Sequence, residues 1–435
     1  MELNYIKAAL VLTILAYLTN NTTGRIGLVN GRNDIKMGNR AVKTGQYILK
    51  LKEEMTNGQA GHKFSSLRNR AKEMGCKTKN IRELYTHQRK AHRSNTLRLY
   101  SIECDNQSFL EELRTDAEID SVTENIILDT QSCAFTDTTK FPSSWGLDRI
   151  DQELLLDDSF MADYDPVKGY DSVDVYIIDT GIYDDHPAFQ KYGNIVSKYN
   201  SVSQLNEAAD FPPGHGTAMA GIIGGEYGVA PGVRMHAVKV FDDFSYATIA
   251  SLMAGISWVQ QQIQASNRKS IVNISLGATF YTCEPLEDAV ANLVQEGVPV
   301  ALAAGNSYND ACNNTPARSP VGITVGGSDM NDDLWVDTLS YGSSYGSCVD
   351  IIAPSKDILA PKYWGGLTYE LWSGTSMATP YVAGAMAAYW HDNPNKTYIE
   401  VMDWVKESST RDILKNLPTG TPNKLLRTTG CPLPS

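Results

Sequence analysis

Several hallmarks of other protein classes are absent from this sequence of 435 residues. It contains no Gly-rich phosphate-binding loop, no His-Glu-x-x-His pattern and no paired Cys-x-x-Cys motifs, which argues against nucleotide binding and against a catalytic metal. The mean hydropathy is mildly negative, and this argues against a polytopic membrane protein. What remains is a globular composition with 42% hydrophobic residues, and a length that suggests two or three domains.

The apolar run near the N-terminus is short. It covers residues 8–18 behind Lys7, which is too few residues to span a bilayer and fits the core of a secretory signal peptide. We therefore expect residues 1–22 to be a signal peptide and the protein to be secreted; an uncleaved anchor and a short buried helix are the alternatives. Residues 23–44 are polar and Gly-rich, and we expect a disordered linker there.

Basic residues are scarce in the larger part of the chain. Residues 1–130 carry 20 Lys and Arg against 15 Asp and Glu, whereas residues 131–435 carry 18 against 35. The acidic body argues against nucleic acid as a partner. The opposite net charges would attract the front segment to the body, although plain solubility explains the distribution equally well.

The seven cysteines are at positions 76, 104, 133, 283, 312, 348 and 431. In a secreted chain they indicate disulfide bonds. Five of them follow residue 130, so at least one of these five has no partner among the others. Their spacing does not decide the pairing.

Residues 45–130 alternate between strand and helix patterns. The predicted strands are 46–52, 95–103 and 122–128, and the predicted helices are 63–74 and 107–113. This order of elements predicts a small α+β module.

Residues 131–435 predict an α/β fold. Apolar runs typical of buried strands occur at 173–178, 235–240, 271–276, 298–304 and 323–325. Helical patterns occur at 215–223, 247–264, 286–295, 381–390 and 398–407. Near-continuous Val and Ile runs that alternate with helices are typical of a parallel sheet flanked by helices on both faces. In such a fold the functional residues lie at the carboxyl ends of the strands.

Four polar residues occupy positions suited to nucleophilic catalysis. Asp179 and Asn306 each follow a predicted buried strand. His215 opens a helix, and Ser376 lies in the first turn of another. The helix dipole favours negative charge at that point, so Ser376 can be a nucleophile if a base lies nearby. Any one of these residues alone would more often be a helix cap or a turn former.

These motifs resemble those of the subtilisin-like serine proteases. The stretches DTGI, GHGT, AAGN and SGTSMATP carry that family's signatures in the family's order, at 179–182, 214–217, 303–306 and 373–380. The resemblance covers residues 145–388 and is strongest to the proteinase K-like branch. It implies a triad of Asp179, His215 and Ser376 in the subtilisin chain order, with Asn306 as the oxyanion-hole side chain.

The resemblance also extends to the smaller module and to substrate binding. Residues 45–130 resemble an inhibitor-type prodomain, which implies a self-processing zymogen that is inhibited by its own prodomain and cut between Leu128 and Lys140. The implied substrate-binding residues are Ser275, Leu276, Gly277, Ala304, Gly305 and Tyr246. Asn314 stands where the family usually has Tyr near the pocket for the P1 side chain, which implies a more polar rim.

Two further features are implied by the resemblance alone. The first is a disulfide between Cys312 and Cys348, as in thermophilic and psychrophilic relatives. The second is a weak structural Ca²⁺ site made of the carbonyls of Pro320 and Gly322 with the Asp350 carboxylate, an oxygen set suited to this ion. A surface charge or salt-bridge partner is an equal alternative for Asp350. No cofactor is expected to be required for catalysis.

The sequence thus predicts a secreted, monomeric serine endopeptidase of the subtilisin type, made as a zymogen and acting on proteins or peptides. Sequons at Asn106, Asn313 and Asn395 indicate a glycoprotein. The rival hypothesis is a catalytically silent binding protein of the same fold, against which the intact motifs argue. An esterase of the α/β-hydrolase class is disfavoured, because the residues around Ser376 do not match Gly-x-Ser-x-Gly.

Overall fold

The structure, a computed structural model, describes residues 34–37, 40–77, 81–88, 96–130, 133–135, 145–151, 169–363 and 369–428. The predicted signal peptide lies outside the described residues. The chain divides into two compact units. The smaller comprises Met1–Glu83 and Arg98–Ile127, and the larger comprises Leu84–Leu97 and Leu128–Ser435.

The secondary structure alternates along the described residues. The strands are β1 (Asp34–Met37), β2 (Arg40–Leu51), β3 (Arg82–Gln88), β4 (Thr96–Glu103), β5 (Ile119–Thr130), β6 (Cys133–Phe135), β7 (Val173–Asp179), β8 (Ile195–Asn200), β9 (Arg234–Lys239), β10 (Ala247–Thr248), β11 (Lys269–Ile274), β12 (Leu276–Gly277), β13 (Val300–Ala303), β14 (Ile323–Ser328), β15 (Val336–Thr338), β16 (Tyr341–Gly342), β17 (Ile351–Pro354), β18 (Ile358–Pro361), β19 (Tyr369–Ser373), β20 (Thr410–Arg411) and β21 (Lys424–Leu425). The α-helices are α1 (Asn57–Glu73), α2 (Gln107–Arg114), α3 (Trp145–Ile150), α4 (Pro187–Gln190), α5 (His215–Gly224), α6 (Ile249–Ser266), α7 (Glu284–Gln295), α8 (Thr375–Asp392) and α9 (Tyr398–Glu407). A short 3₁₀ helix covers Ala311–Asn313. None of the described helices is both long and apolar enough to cross a membrane.

The smaller unit is an antiparallel sheet with two helices, as the sequence predicts. Strand β2 pairs with β4 on one side and with β5 on the other. Its core combines apolar residues of both helices with those of the sheet, among them Leu49, Leu67, Tyr100, Phe109 and Leu113. Helix α1 begins earlier than predicted because Thr56 and Gln59 form a capping box. Strand β3 was not predicted.

Residues 34–44 differ from the predicted linker. Strand β1 pairs antiparallel with β2, from Asp34 opposite Lys43 to Met37 opposite Arg40. In the sequence a Gly-Asn dipeptide separates the two strands, and this dipeptide is typical of tight hairpin turns. The described part of the predicted linker is therefore paired strand, and residues 23–33 of that prediction lie outside the described residues.

The larger unit contains a nine-stranded sheet in the order β20-β21-β17-β14-β13-β11-β7-β9-β8. Neighbouring strands are parallel, apart from the antiparallel pair β20 and β21 at one edge. The central strands β7 and β13 are buried along their whole length. This confirms the predicted fold class, an α/β fold with a parallel sheet flanked by helices.

The topology brings the candidate residues to one edge of this sheet. Because parallel strands run in the same direction, β7 and β13 end at the same edge of the sheet. Asp179, the last residue of β7, and Asn306, shortly after β13, therefore lie at that edge. Helix α8 packs against α5 and against the central strands β11, β13 and β14. Element ends shift from the predicted ones by a few residues; α6, for example, begins at Ile249 because Thr248 caps it.

Candidate active site

Asp179 and His215 form a buried contact at the carboxyl end of the sheet. Asp179 is the last residue of the buried strand β7. Its Oδ1 lies 2.7 Å from His215 Nδ1 and also accepts the backbone N–H of Thr180 at 2.7 Å. Because an ionised carboxylate only accepts hydrogen bonds, the ring proton of His215 is assigned to Nδ1, and Nε2 is left as the basic nitrogen.

His215 is the first residue of α5, and the glycines on either side of it permit close approach. Gly214 has φ = +95°, and a Cβ at this position would lie 2.5 Å from Tyr363 N. A Cβ on Gly216 would lie 2.1 Å from Gly181 O. The Gly-His-Gly pattern is therefore a steric requirement of placing the imidazole beside β7.

Ser376 is in the first turn of α8, and its hydroxyl donates to the carbonyl of Ser275 at 2.9 Å. His215 Nε2 is buried and has no hydrogen-bond partner among the described residues. His215 is therefore hydrogen-bonded to Asp179, whereas the Ser376 hydroxyl is hydrogen-bonded to Ser275 and not to the imidazole. Catalytic hydrogen bonds often form only once substrate binds, so a serine that rotates on substrate binding fits this geometry.

A proline in α8 ties Ser376 to the neighbouring segment. Pro380 has no N–H to donate to the carbonyl of Ser376, four residues earlier. Ser275 Oγ donates to that carbonyl instead, at 3.1 Å. Ser275 and Ser376 thus exchange two hydrogen bonds, each from a side chain to the other's backbone. This second role of Ser275 was not predicted, since it depends on a contact between residues a hundred positions apart.

Asn306 is oriented by the residue that precedes Ser376. Its Oδ1 accepts the backbone N–H and the hydroxyl of Thr375, both at 2.9 Å. The Thr375 hydroxyl also accepts the N–H of Gly305 at 3.1 Å. Because both bonds go to the carbonyl oxygen of the amide, its NH₂ end points away from Thr375. Thr375 was not predicted, and its place beside the candidate nucleophile is the signal that could have identified it.

The predicted substrate-binding residues Ser275, Leu276 and Gly277 form a buried extended segment. Strand β12 pairs antiparallel with the backbone of residues 129 and 130, with Leu276 opposite Thr130 and Gly277 opposite Asp129. The larger unit contains both partners. The edge of β12 that residues 129 and 130 occupy is therefore able to pair with an extended chain through backbone hydrogen bonds.

The predicted pocket residues Ala304 and Gly305 follow β13, and Asn314 lies behind them. Asn314 Nδ2 donates to Ala304 O at 2.9 Å, and Gly305 O accepts Ser344 N at 2.7 Å. Gly305 has φ = +106°, and a Cβ there would lie 2.8 Å from Asn314 Nδ2. Asn314 is 3% exposed, so the expectation of a polar rim was wrong. Its side-chain amide forms hydrogen bonds to buried neighbours; its Oδ1, for example, accepts a hydrogen bond from Asn309 Nδ2.

Tyr246 lies at the end of a tight turn before β10. Its N–H donates to Asp242 Oδ1 at 3.0 Å, and its carbonyl accepts the N–H of Asp242 at 2.8 Å. Phe244 projects from this turn with 64% of its surface exposed. The turn therefore presents an aromatic ring that was not predicted as a contact residue.

The candidate calcium ligands lie near the start of β14. Asp350 is partly buried, and its Oδ2 accepts the N–H of Thr324 at 2.9 Å. Burial raises the pKa of Asp350. One carboxylate with the carbonyls of Pro320 and Gly322 is an oxygen set that suits Ca²⁺, and a cation would offset the cost of the buried charge. No group of three or more His, Cys, Asp or Glu among the described residues could hold a metal ion.

Among the described residues, four cysteines form two disulfides. Cys312 is bonded to Cys348, the pair that the resemblance implies, with an S–S distance of 2.14 Å. In the smaller unit Cys76 is bonded to Cys104, a pairing that the sequence left open. Cys283 is a buried free thiol.

Comparisons with known proteins identify relatives of this chain. The profile of the Subtilase family, Peptidase S8, matches residues 171–430. Alkaline serine exoprotease A of Vibrio alginolyticus is 38% identical over 320 residues, which are 73% of this chain and 56% of that protein. Alkaline serine protease ver112 of Corniculantispora psalliotae is 32% identical over 428 residues, 98% of each chain.

Two further relatives each cover 66% of this chain. Extracellular serine proteinase of a Thermus strain is 38% identical over 288 residues, 66% of each protein. The chain therefore spans less than two thirds of the Vibrio and Thermus relatives. The crystal structure of a cold-adapted subtilisin-like serine proteinase matches with a TM-score of 0.59 and 39% identity, and covers 66% of this chain and 98% of that chain.

Proposed function

Because the chain belongs to the subtilase family of serine proteases, we propose that it is a serine endopeptidase that hydrolyses peptide bonds through Asp179, His215 and Ser376. The buried 2.7 Å contact between Asp179 Oδ1 and His215 Nδ1 carries this proposal. It leaves the basic nitrogen of the imidazole in a buried position with no competing partner among the described residues.

The chemistry begins when the Ser376 hydroxyl turns from the Ser275 carbonyl towards His215. Ser376 Oγ attacks the scissile carbonyl while His215 Nε2 takes its proton, and the same proton is then donated to the leaving amine. In the second half of the reaction, water attacks the acyl group while His215 Nε2 takes its proton. The same nitrogen then returns the proton to Ser376 Oγ as the acyl group leaves. Asp179 keeps the ring in the required tautomer and stabilises the imidazolium that forms in each step.

The negative charge on the attacked oxygen is stabilised at the N-terminus of α8. The Asn306 amide and the backbone N–H of Ser376 are the two donors that we assign to it. Thr375 supports this assignment, because it makes two hydrogen bonds to Asn306 Oδ1. These bonds fix the orientation of the amide and direct its NH₂ group away from Thr375. The helix dipole adds to the stabilisation at this end of α8.

Polypeptides in extended conformation are the substrate class that fits the site. Strand β12 offers a backbone edge for antiparallel pairing. A bound segment would lie beside Ala304 and Gly305, the predicted wall of the pocket for the P1 side chain. Backbone pairing carries no side-chain preference, so the preference must come from the pocket walls and from the turn that carries Phe244.

We also propose that the protein is made as a zymogen that cuts itself between Thr130 and Cys133. Two backbone pairings support this narrower position within the predicted range. Residues 129–130 pair with β12, and β6 pairs antiparallel with β19, which ends three residues before Ser376. Residues 129–130 thus pair with the strand that follows Ser275, and Cys133 pairs with Ser373 near Ser376, which supports a cut between Thr130 and Cys133.

Secretion is part of the same proposal. The two disulfides suit an oxidising compartment. One relative is named an extracellular serine proteinase. The monomeric state and the glycosylation at the sequons stay predictions.

The test is the variant Ser376→Ala, expressed as the full chain. We expect it to remain unprocessed and to hydrolyse no peptide, whereas wild-type protein yields a mature N-terminus at residue 131, 132 or 133 by N-terminal sequencing. Ser340→Ala, at an exposed serine of the same unit, is the matched control and should process normally. Normal processing of Ser376→Ala would contradict self-cleavage. Absence of a fluorophosphonate label on Ser376 in processed wild-type protein would favour a binding role instead.

A further inference from the structure

A buried carboxylate connects the two segments that carry Asp179 and His215. Asp210 is 4% exposed and lies in the loop before α5. It accepts four hydrogen bonds, from Phe211 N at 2.8 Å, Thr217 N at 2.9 Å, Thr217 Oγ1 at 2.6 Å and Thr180 Oγ1 at 2.7 Å. All four partners donate, which is the pattern of an ionised carboxylate. Nothing in the sequence pattern distinguished Asp210 from a loop aspartate.

Thr180 is the residue through which Asp210 reaches the candidate triad. Its backbone N–H donates to Asp179 Oδ1, and its hydroxyl donates to Asp210. The same hydroxyl accepts the N–H of Gly216 at 2.8 Å. A displacement of Asp210 would therefore move a donor of Asp179 and the first turn of α5 together.

A buried cation contacts Thr180 from β9. Lys239 lies opposite Asp179 in the register of the parallel strands and is 3% exposed. Its Nζ donates to the carbonyl of Thr180 at 3.0 Å and lies 4.2 Å from the centroid of the Phe211 ring. Both contacts favour the ammonium form. Two unlike charges are thus buried around one threonine.

Each of these charges is costly on its own. Burial raises the pKa of Asp210, and hydrogen bonds from its partners act in the opposite direction. Burial lowers the pKa of Lys239, and the charges of Asp210, Asp243 and Asp242 act against this. Removing one of two buried opposite charges leaves the other uncompensated, which is more harmful than removing both.

We propose that Asp210 and Lys239 are a pair of positioning residues, which fix the geometry of Asp179 and His215 and balance the charge around the imidazole. The inference rests on the proposed function, because charge balance at His215 matters only if the imidazole exchanges a proton. The pair touches neither substrate nor the reacting atoms and acts through Thr180.

The pH profile of kcat/KM separates this role from a merely structural one. The side chains in contact with the His215 ring are Asp179, which is its charged neighbour, and Trp372, whose ring centroid lies 6.2 Å from that of the imidazole. Removing the cation in Lys239→Met favours the imidazolium, so the acid limb should move to higher pH. Removing the anion in Asp210→Asn should move the limb to lower pH. We expect each shift to be roughly half a pH unit or more.

The double variant Asp210→Asn/Lys239→Met should return the limb to within about 0.2 pH unit of wild type, because both charges are then gone. Lys191→Met, at a half-exposed lysine, is the matched control and should move neither limb nor kcat. Limbs that stay in place, or that move in the same direction in both single variants, would overturn the proposal.

Thr180→Val keeps both charges and gives a test that does not depend on the folding of charge variants. It removes only the hydroxyl that joins Asp210 to Gly216, so kcat should fall about tenfold while KM changes less than about twofold and the acid limb stays in place. An unchanged kcat would overturn the positioning role.

All rates are expressed per site titrated with a fluorophosphonate, so that misfolded protein does not count. The titration also distinguishes a failure of the proposed function from a failure of the positioning role. Wild-type protein that takes up no label would refute the proposed function itself. A labelled wild type whose variants behave like the lysine control would refute only the role of Asp210 and Lys239.

Discussion

Replacing Asn306 by leucine tests the oxyanion assignment in the most quantitative way. Leucine has nearly the same shape but offers no donor to the developing charge. Losing one such donor costs about 2.7–4 kcal/mol of transition-state stabilisation, which is about 10²–10³ in kcat. KM should change by less than about threefold, because the donor acts on the transition state and not on the bound substrate.

The same substitution has a separate effect on stability. The backbone N–H and the hydroxyl of Thr375, which both donate to Asn306 Oδ1, lose their acceptor. A buried donor left without a partner costs about 1–3 kcal/mol, so Asn306→Leu should also unfold at a lower temperature. Thermal unfolding measures this loss, and kcat per titrated site measures the catalytic loss independently.

Asn292 provides a matched control for this experiment. It is a buried asparagine in α7, and neither polar atom of its side chain has a hydrogen-bond partner among the described residues. Asn292→Leu should leave kcat unchanged and should not lower stability. A fall in kcat of less than about tenfold for Asn306→Leu, or an equal fall in both variants, would show that Asn306 is not an oxyanion donor.

Three further predictions concern the cysteines and the calcium site. Replacing Cys312 and Cys348 together by serine opens a loop with a sequence separation of 36 residues, and thermal or denaturant unfolding should show a loss of about 3–4 kcal/mol; an unchanged midpoint would contradict a stabilising bond. Burial raises the pKa of the Cys283 thiol to about 12, so its thiolate fraction at pH 8 is about one in ten thousand. Peptide mapping should find iodoacetamide on Cys283 only after denaturation, and rapid labelling of native protein would show the site to be open. Chelation by EDTA should lower the melting temperature of wild type but not of Asp350→Asn, and an equal response in both would remove the calcium site from the account.

The four candidate catalytic residues could be predicted from sequence because of their position relative to strand and helix patterns. Each follows an apolar run or begins a helical pattern, so local composition marks its place. In a parallel sheet the carboxyl ends of the strands lie at one edge. The sequence alone therefore predicts that Asp179 and Asn306 lie at that edge. The Gly-His-Gly pattern was readable for a similar reason, because close backbone approach demands glycine.

The residues that escaped prediction depend on long-range contacts. The bond from Ser275 Oγ to the carbonyl of Ser376 exists because Pro380 cannot donate, and only the fold shows which side chain replaces it. Asp210 resembles any loop aspartate until the fold surrounds it with donors. The hairpin of β1 and β2 was missed because polar hairpins and linkers have similar compositions.

In the proposed reaction, His215 makes the Ser376 hydroxyl a nucleophile. Labelling of mature wild-type protein with a fluorophosphonate, mapped by peptide mass spectrometry, measures this activation at the serine itself. We expect one label per chain, on Ser376, and a rate of labelling that falls by at least about a thousandfold in a His215→Ala variant processed in trans. A label at another residue, or labelling of Ser376 that proceeds equally fast without His215, would contradict it.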